Sequence, residues 1–495
     1  MSDYDVIVVG AGNAACAAAV SARQSGAKRV LILEKAPVEL RGGNTDYSGA
    51  AFRIAFNSAE DLRPLVPDAE KHEPGFFENV VPYPADQFWA DLRKVTENRT
   101  DPRLAAIMID NSYSTVRWMK EVGIQMEPAV MLGAIKYGGK TKFLSGTVIR
   151  AVDEGVGLSR MWFDIAARHG VEIRYETRAT HLLQGKSGAV TGVQIHGPQG
   201  LEDLSARAVV LGCGSFESNP EWRARYLGRP WDIAKVRGTS FNTGDGLRMA
   251  FEVGAVSHGQ YSGLHSTPID AAAPPFGDRK LTDKTNRLTY PFSVMVNNRG
   301  LRFADEGEDI NMLTYAKMGQ IVLSQPGGVG YQLFDSKVIS LLEPRYATAK
   351  PYTADTLEAL IRQLPIDQNQ ALATLTEYHA ALKGGTFDPL VKDGLRTQGL
   401  AIDKTNWAQP LDTPPFYAYP VTGGVTFTFG GVLVSDDAQV MDVAYRPIGG
   451  LYACGEAVGG LFHYNYPGGS GLVSGAVFGR IAGRSAARGC QKEDT

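Results

Sequence analysis

Residues 5–9, Asp-Val-Ile-Val-Val, make a short apolar run of strand type that ends on Gly10. Small residues at helical spacing follow through position 25, and a second apolar run at 29–33 closes on Glu34. Continuous apolar runs of this length, broken by a glycine turn and a helical pattern, predict two buried neighbouring strands joined by a helix. Further along, 84–98 and 102–122 read as helices, the second opened by Asp101-Pro102 and stopped by Gly123. Trp89, Leu92 and Val95 fall on one face of the first and read as core. Another helix is expected at 158–169, closed by Gly170, followed by strand-like runs at 171–175, 190–195 and 208–211. The last of these runs into Gly212-Cys-Gly214, and Asn242-Thr-Gly-Asp-Gly246 opens a helix at 247–253. From 259 to 416 short strands, prolines and helices mix without that pattern. Glycine-rich turns return around 421, and a helix to about 487 follows Leu472.

The composition changes this picture little. A chain of 495 residues, 44% hydrophobic and 21% charged, is an ordinary globular protein long enough for two domains. A net charge of −3 and the absence of a long basic run argue against nucleic acid as a partner. No run reaches the ~18 apolar residues of a membrane span. The chain starts directly on its first strand, so no cleaved leader is expected. Cys16, Cys213, Cys454 and Cys490 are scattered, which offers no metal or cluster motif and fits a reducing, cytoplasmic setting.

The 56 glycines and their neighbours carry the candidate chemistry. In Gly10-Ala-Gly12-Asn13-Ala14-Ala15, Gly10 allows the tight turn, Gly12 lets backbone approach a pyrophosphate, and Ala15 lets helix pack on strand. The helix N-terminus offers free N–H groups to phosphate. Glu34, 24 residues after Gly10, is placed for a ribose diol, with Lys35 beside it. Two features favour a flavin over a nicotinamide. Arg41-Gly42-Gly43-Asn44-Thr45 suits the underside of an isoalloxazine ring, and Gly455-Glu456 puts a carboxylate after a strand, within reach of ribityl hydroxyls. The helix after Gly471 would aim its N-terminus at the flavin edge.

These motifs, with Gly300-Leu-Arg-Phe-Ala-Asp-Glu306, Phe427-Thr-Phe-Gly-Gly431 and Gly468-Gly-Ser470-Gly471-Leu472, resemble the fumarate reductase/succinate dehydrogenase flavoprotein superfamily, within it the tricarballylate dehydrogenase-like branch. The resemblance implies an α/β fold: a discontinuous Rossmann-type FAD-binding domain, here 1–258 and 428–495, with an inserted α+β capping domain at 259–427. It also implies contacts from Asp245 and Glu456 to FAD. No histidine stands near Thr45, where family members with covalent flavin carry one, so dissociable FAD is expected.

The departures bear on substrate. The first of the family's dicarboxylate-binding histidines has a counterpart in His265, but the second falls on Phe427 and a clamping arginine falls on Tyr466. Where the proton-donating arginine is expected the chain reads Asn311. Losing arginines removes bidentate carboxylate anchors and puts a di- or tricarboxylate in doubt. Tyr466-Pro-Gly468 resembles the turn that carries a catalytic tyrosine in the ketosteroid 1-dehydrogenases. As catalytic candidates, Tyr466 would donate to a substrate carbonyl and His265 would orient the substrate; Arg302 and Glu306 would pair beneath the cap, and Cys454 would be core.

The expected reaction is desaturation, or the reverse reduction, of a C–C bond beside a carboxylate or carbonyl. A cyclic ketone or keto acid is one alternative substrate; a redox-silent or oxygen-using flavoprotein is the other reading. Electrons would pass to a partner protein, a quinone or oxygen.

Overall fold

A computed structural model describes residues 2–143 and 145–492. Strand β1 (Tyr4–Val9) passes through Gly10 into helix α1 (Asn13–Gln24), and β2 (Val30–Leu33) lies parallel to β1 with Val6 opposite Val30. All four residues of β2 are buried, the signature of a strand covered on both faces, which is why the run is continuously apolar. Helix α2 (Pro102–Val122) begins where the Asp101 side chain accepts from the N–H groups of Arg103 and Leu104, and it ends at Gly123 at φ 126°.

Helix α3 (Glu154–Arg168) starts ahead of the expected 158. Gly155 and Gly157 lie in its first turn, where a Cβ on Gly155 would sit 2.1 Å from Thr45 O. Beyond α3, β3 (Glu172–Arg174) pairs parallel with β2. Then β4 (Arg178–Gln184), β5 (Val190–Gly197) and β6 (Gly200–Leu211) form an antiparallel meander. The far half of β6 turns parallel to β1, with Leu211 opposite Val9. Strand β4 was hidden because its Arg, Thr, His and Gln leave only two buried positions. Helix α4 (Asp245–Glu252) follows the turn at Gly244.

The cap is built on β7 (Ser257–Asp270), β8 (Val294–Asn297), β9 (Val329–Asp335) and β10 (Phe416–Val432). Between β8 and β9, helix α5 (Asn311–Leu323) packs on β7 and β10. The divisions at 258/259 and 427/428 run through β7 and β10, whose ladder extends from Ser257–Val432 to Asp270–Val421. The two parts therefore share strands, with the ladder irregular between Gln260 and Leu264 and again at His265/Ser266. Arg302 donates to the fully buried carboxylate of Glu306 at 2.6 Å, the ion pair expected beneath the cap.

The chain then returns to the first sheet. Strand β11 (Gln439–Met441) pairs with β12 (Pro447–Ala453), and β12 docks parallel to β6 with Ala453 opposite Leu211. The backbone of that sheet reads β11-β12-β6-β1-β2-β3. Helix α6 (Ser470–Lys492) crosses α1 so tightly that a Cβ on Gly479 would lie 2.4 Å from Ala14 O and one on Gly483 2.0 Å from Ala18 O. Among the described residues no helix is long and apolar enough to cross a membrane.

Candidate active site

Both ends of the chain and the cap meet around one elongated cavity. At one end β1 delivers Gly10 at φ 101°; a Cβ there would fall 2.6 Å from Gly212 O, so only glycine lets β1 turn against β6. Gly12, Asn13 and Ala14 line the cavity, while Ala15 sits behind them, its Cβ against Gly212. Asn13 is more than a loop residue. Its backbone N–H donates to Thr45 Oγ1 at 2.9 Å, its amide donates to Leu472 O and its Oδ1 accepts from Trp162 Nε1. It pins α1, the 43–47 turn and the start of α6 together.

Glu34 ends β2 at the wall of the cavity, 7% exposed, its Oε1 accepting from the Ala36 N–H at 2.8 Å. Burial pushes its carboxyl up, with backbone donors opposing. Lys35 donates to Asp245 Oδ2 at 2.7 Å and also lines the wall. Burial raises the Asp245 carboxyl, but Arg178 and Lys35 outweigh it and hold it below the usual range. Such a cradle, with a positive-φ glycine, a helix N-terminus and a buried terminal acid, fits the adenosine diphosphate half of FAD. Glu34→Ala is expected to weaken FAD retention about 10- to 100-fold, the range for lost charged hydrogen bonds. Flavin appearing in the filtrate after ultrafiltration measures it, and unchanged retention would remove Glu34 from the site.

Further in, Gly43, Asn44 and Thr45 line the cavity. Gly42 does not; it turns at φ 101° with Ser159 Oγ 2.3 Å from where a Cβ would be. Asn44 Nδ2 donates to Glu217 Oε1 at 2.6 Å, and Asn242 donates to the same oxygen. Glu456, also on the wall, accepts from the Thr428 N–H at 2.7 Å. Burial raises both carboxyls; Glu217 raises Glu456 further, while hydrogen bonds from Asn242 and Asn44 oppose the rise at Glu217. Gly471 and Leu472 line the wall at the start of α6, and Ser470 is fully buried beside them with its hydroxyl unpartnered.

The far end is aromatic. Tyr466 lines the cavity with Tyr315 of α5, and their hydroxyls hydrogen-bond to each other. Phe427 and Phe462 stand edge-on to Tyr466, both at 5.2 Å between centroids. His265 stacks on Phe427 at 4.9 Å and meets Tyr315 and Tyr466 at 5.0 and 4.7 Å. It does not line the cavity, and both ring nitrogens lack a partner. Burial, helped by Arg237, drives its pKa well below the usual value, so the ring is neutral. Burial raises the pKa of both phenols, with Arg237 pulling the other way. Cys454 is fully buried and burial raises its thiol, as a core residue should.

Among the wall residues missed from sequence are Tyr315, Arg237, Asp283 and Arg345. Arg237 Nη1 donates to Asp283 Oδ1 at 2.8 Å, and Arg345 donates to Asp283 Oδ2. Asn311, at the start of α5, donates to Leu288 O at 3.2 Å and approaches Glu343 Oε1 at 3.5 Å.

Against known proteins, the FAD binding domain family matches residues 5–473. The chain is 28% identical to a fumarate reductase (cytochrome) of Shewanella frigidimarina over 99% of its own length and 78% of that protein's. It is 27% identical to a 4-oxocyclohexanecarboxylate 2-dehydrogenase of Sinomonas cyclohexanicum, covering 98% and 94% of the two chains. Its fold also matches a 3-ketosteroid Δ1-dehydrogenase from Sterolibacterium denitrificans with a TM-score of 0.73 at 21% identity, over 98% and 99% of the chains.

Proposed function

This chain belongs to the FAD-binding flavoprotein family of the fumarate reductases and succinate dehydrogenases, and from that premise we propose that it desaturates, or in reverse reduces, the C–C bond next to the carbonyl or carboxylate of a small organic acid. It is an FAD-dependent oxidoreductase acting on carbon–carbon double bonds. The finer reading is carried by one observation: Tyr466 and Tyr315 place two hydrogen-bonded phenols on the cavity wall, inside an aromatic enclosure. Bound FAD supplies hydride uptake or delivery at the neighbouring carbon; everything else falls to the chain.

Removing a proton beside a carbonyl needs a donor on the carbonyl oxygen and a base at the carbon. Tyr466 is the donor. As a neutral phenol it needs no activation, and raising its pKa by burial keeps the proton in place. Tyr315, bonded to it from α5, exchanges the substrate proton. Neutral His265 fixes both rings by edge contacts. Phe427, Phe462 and Tyr466 exclude water from the reacting bond, which strengthens the phenol's dipole. FAD is held without a covalent bond, and its electrons pass to a partner protein, a quinone or oxygen.

The test is an anaerobic titration of the holoprotein with succinate, tricarballylate and 4-oxocyclohexanecarboxylate, following the oxidised flavin band. Bleaching by one of them is expected; bleaching by none, with dithionite-reduced flavin also inert to fumarate-like alkenes, overturns the reading. The pH dependence tests the base. Because the Tyr315 pKa lies above its ordinary value, the phenolate fraction grows about tenfold per pH unit below it. Flavin reduction by the saturated substrate should therefore climb from pH 6 towards 9, and Tyr315→Phe should flatten the profile. A wild-type rate that is flat or falling would place the base elsewhere.

A further inference from the structure

Two buried guanidinium groups stand in this cavity where no motif placed them. Arg237 comes from the segment ahead of α4 and Arg345 from the 3-10 turn Pro344–Thr348, and both converge on Asp283. Exposure is 8% for Arg237, 2% for Arg345 and 4% for Asp283, so little water compensates the charges. Arg345 Nη1 also donates to Glu343 Oε2 at 3.3 Å, and burial raises that carboxyl. His265 is neutral. A buried guanidinium N–H without an acceptor is costly, and a ligand that brings an acceptor relieves it.

Arg345 is also incompletely used: its Nε has no partner. Arg53 and Arg287 each have one unpartnered nitrogen too, but neither lines the cavity. Arg53 is spent on Gly468 O, Tyr83 and Asp91, and Arg287 on Asp270. Arg345 shares its cavity with Tyr315 and Tyr466. It also approaches the loop after the 43–47 turn, where a Cβ on Gly49 would stand 3.5 Å from Arg345 Nη2 and 3.1 Å from Asp283 Oδ2. Leu132, Leu288 and Met312 also line the cavity and offer a carboxylate nothing; Asn286 there is polar but uncharged.

We infer that Arg345, held in place by Asp283 and backed by the charge of Arg237, anchors a carboxylate of the substrate, taking over from a distant segment the task of the arginine absent at Asn311. The inference rests on the desaturase reading above and names the residue that would hold the carboxylate of its organic acid. A planar guanidinium fork matches a carboxylate in two parallel hydrogen bonds, which an ammonium cannot reproduce. Asp283 fixes one edge of the fork, so little side-chain freedom remains to be lost on binding. Asn311 supplies no charge but reaches Glu343, the residue flanking Arg345.

Binding to the oxidised holoprotein tests this without turnover. Acetate, malonate and tricarballylate are titrated while the flavin absorption spectrum is followed, with dimethyl malonate as the neutral probe. At least one acid should perturb the spectrum of the wild type. Arg345→Met should weaken that acid about 10- to 100-fold, leave dimethyl malonate unaffected and retain FAD. Arg345→Lys, which keeps a charge and serves if the methionine variant does not fold, should lose about tenfold. Three results overturn the anchor: no acid binds the wild type, the variants bind acids as the wild type does, or acid and ester weaken together. Failure of the desaturase reading looks different, since carboxylates would bind through Arg345 and yet no saturated acid would bleach the flavin.

Discussion

Tyr466→Phe is expected to slow flavin reduction by about 10²–10³-fold, the cost of removing one preorganised donor from a developing oxyanion. The substitution is conservative in shape. The ring keeps its edge contacts with Phe427, Phe462 and His265, so FAD occupancy and thermal stability should change little. What disappears is the hydroxyl, together with the only hydrogen bond described for the Tyr315 phenol. Because the two phenols act through one bond, Tyr315→Phe and the double variant should cost much less than the product of the single effects. Anaerobic stopped-flow reduction, normalised to bound flavin, measures all three. Equal rates for Tyr466→Phe and wild type would leave Tyr466 as a packing residue.

The second large effect is expected at the seam between α1 and α6. A side chain on Gly483 cannot be accommodated by rotating a neighbour, since the atom 2.0 Å from its Cβ would be the Ala18 carbonyl oxygen, part of the helix backbone. Gly483→Val must push the helices apart, and forced overpacking of this kind costs about 1–3 kcal/mol or more. The seam carries function as well as stability. Asn13 ties α1 to Leu472 at the start of α6, and Ala14, Leu472 and Gly475 line the cavity proposed for the flavin. Loss of FAD should therefore accompany a Tm several degrees lower, read by flavin content and thermal denaturation. A variant that holds flavin and melts with the wild type would mean the helices separate without consequence.

The nucleotide end of the site was legible because its chemistry is local. Gly10, Gly12 and Glu34 act within one strand-turn-helix-strand unit, and each needs a particular residue for a reason visible in the backbone. The Tyr466 turn is local in the same way, and Tyr466 lines the cavity. Tyr315 was not, because α5 is buried over most of its surface and a tyrosine there looks like core until β7 and the Tyr466 turn are brought beside it. Arg237, Asp283 and Arg345 are far apart in sequence, so only the fold assembles them. Asn311 in place of an arginine was visible in the sequence; that Arg345 and Arg237 stand on the same cavity wall was not. Strand β4 and the start of α3 were lost to polar composition and to glycines that serve close approach rather than turning.

The first sheet takes β1, β2 and β3 from the first 174 residues of the sequence and β12 from near its far end, and α6 covers α1 only after all of these. During synthesis the nucleotide cradle must therefore wait, with α1 missing its partner helix while roughly 450 residues have already emerged. The cap, whose contacts lie mostly between 257 and 432, can assemble in that interval. Capture of FAD then becomes the closing event of folding rather than its nucleus, and a ribosome-stalled chain lacking α6 should carry a formed cap and no flavin.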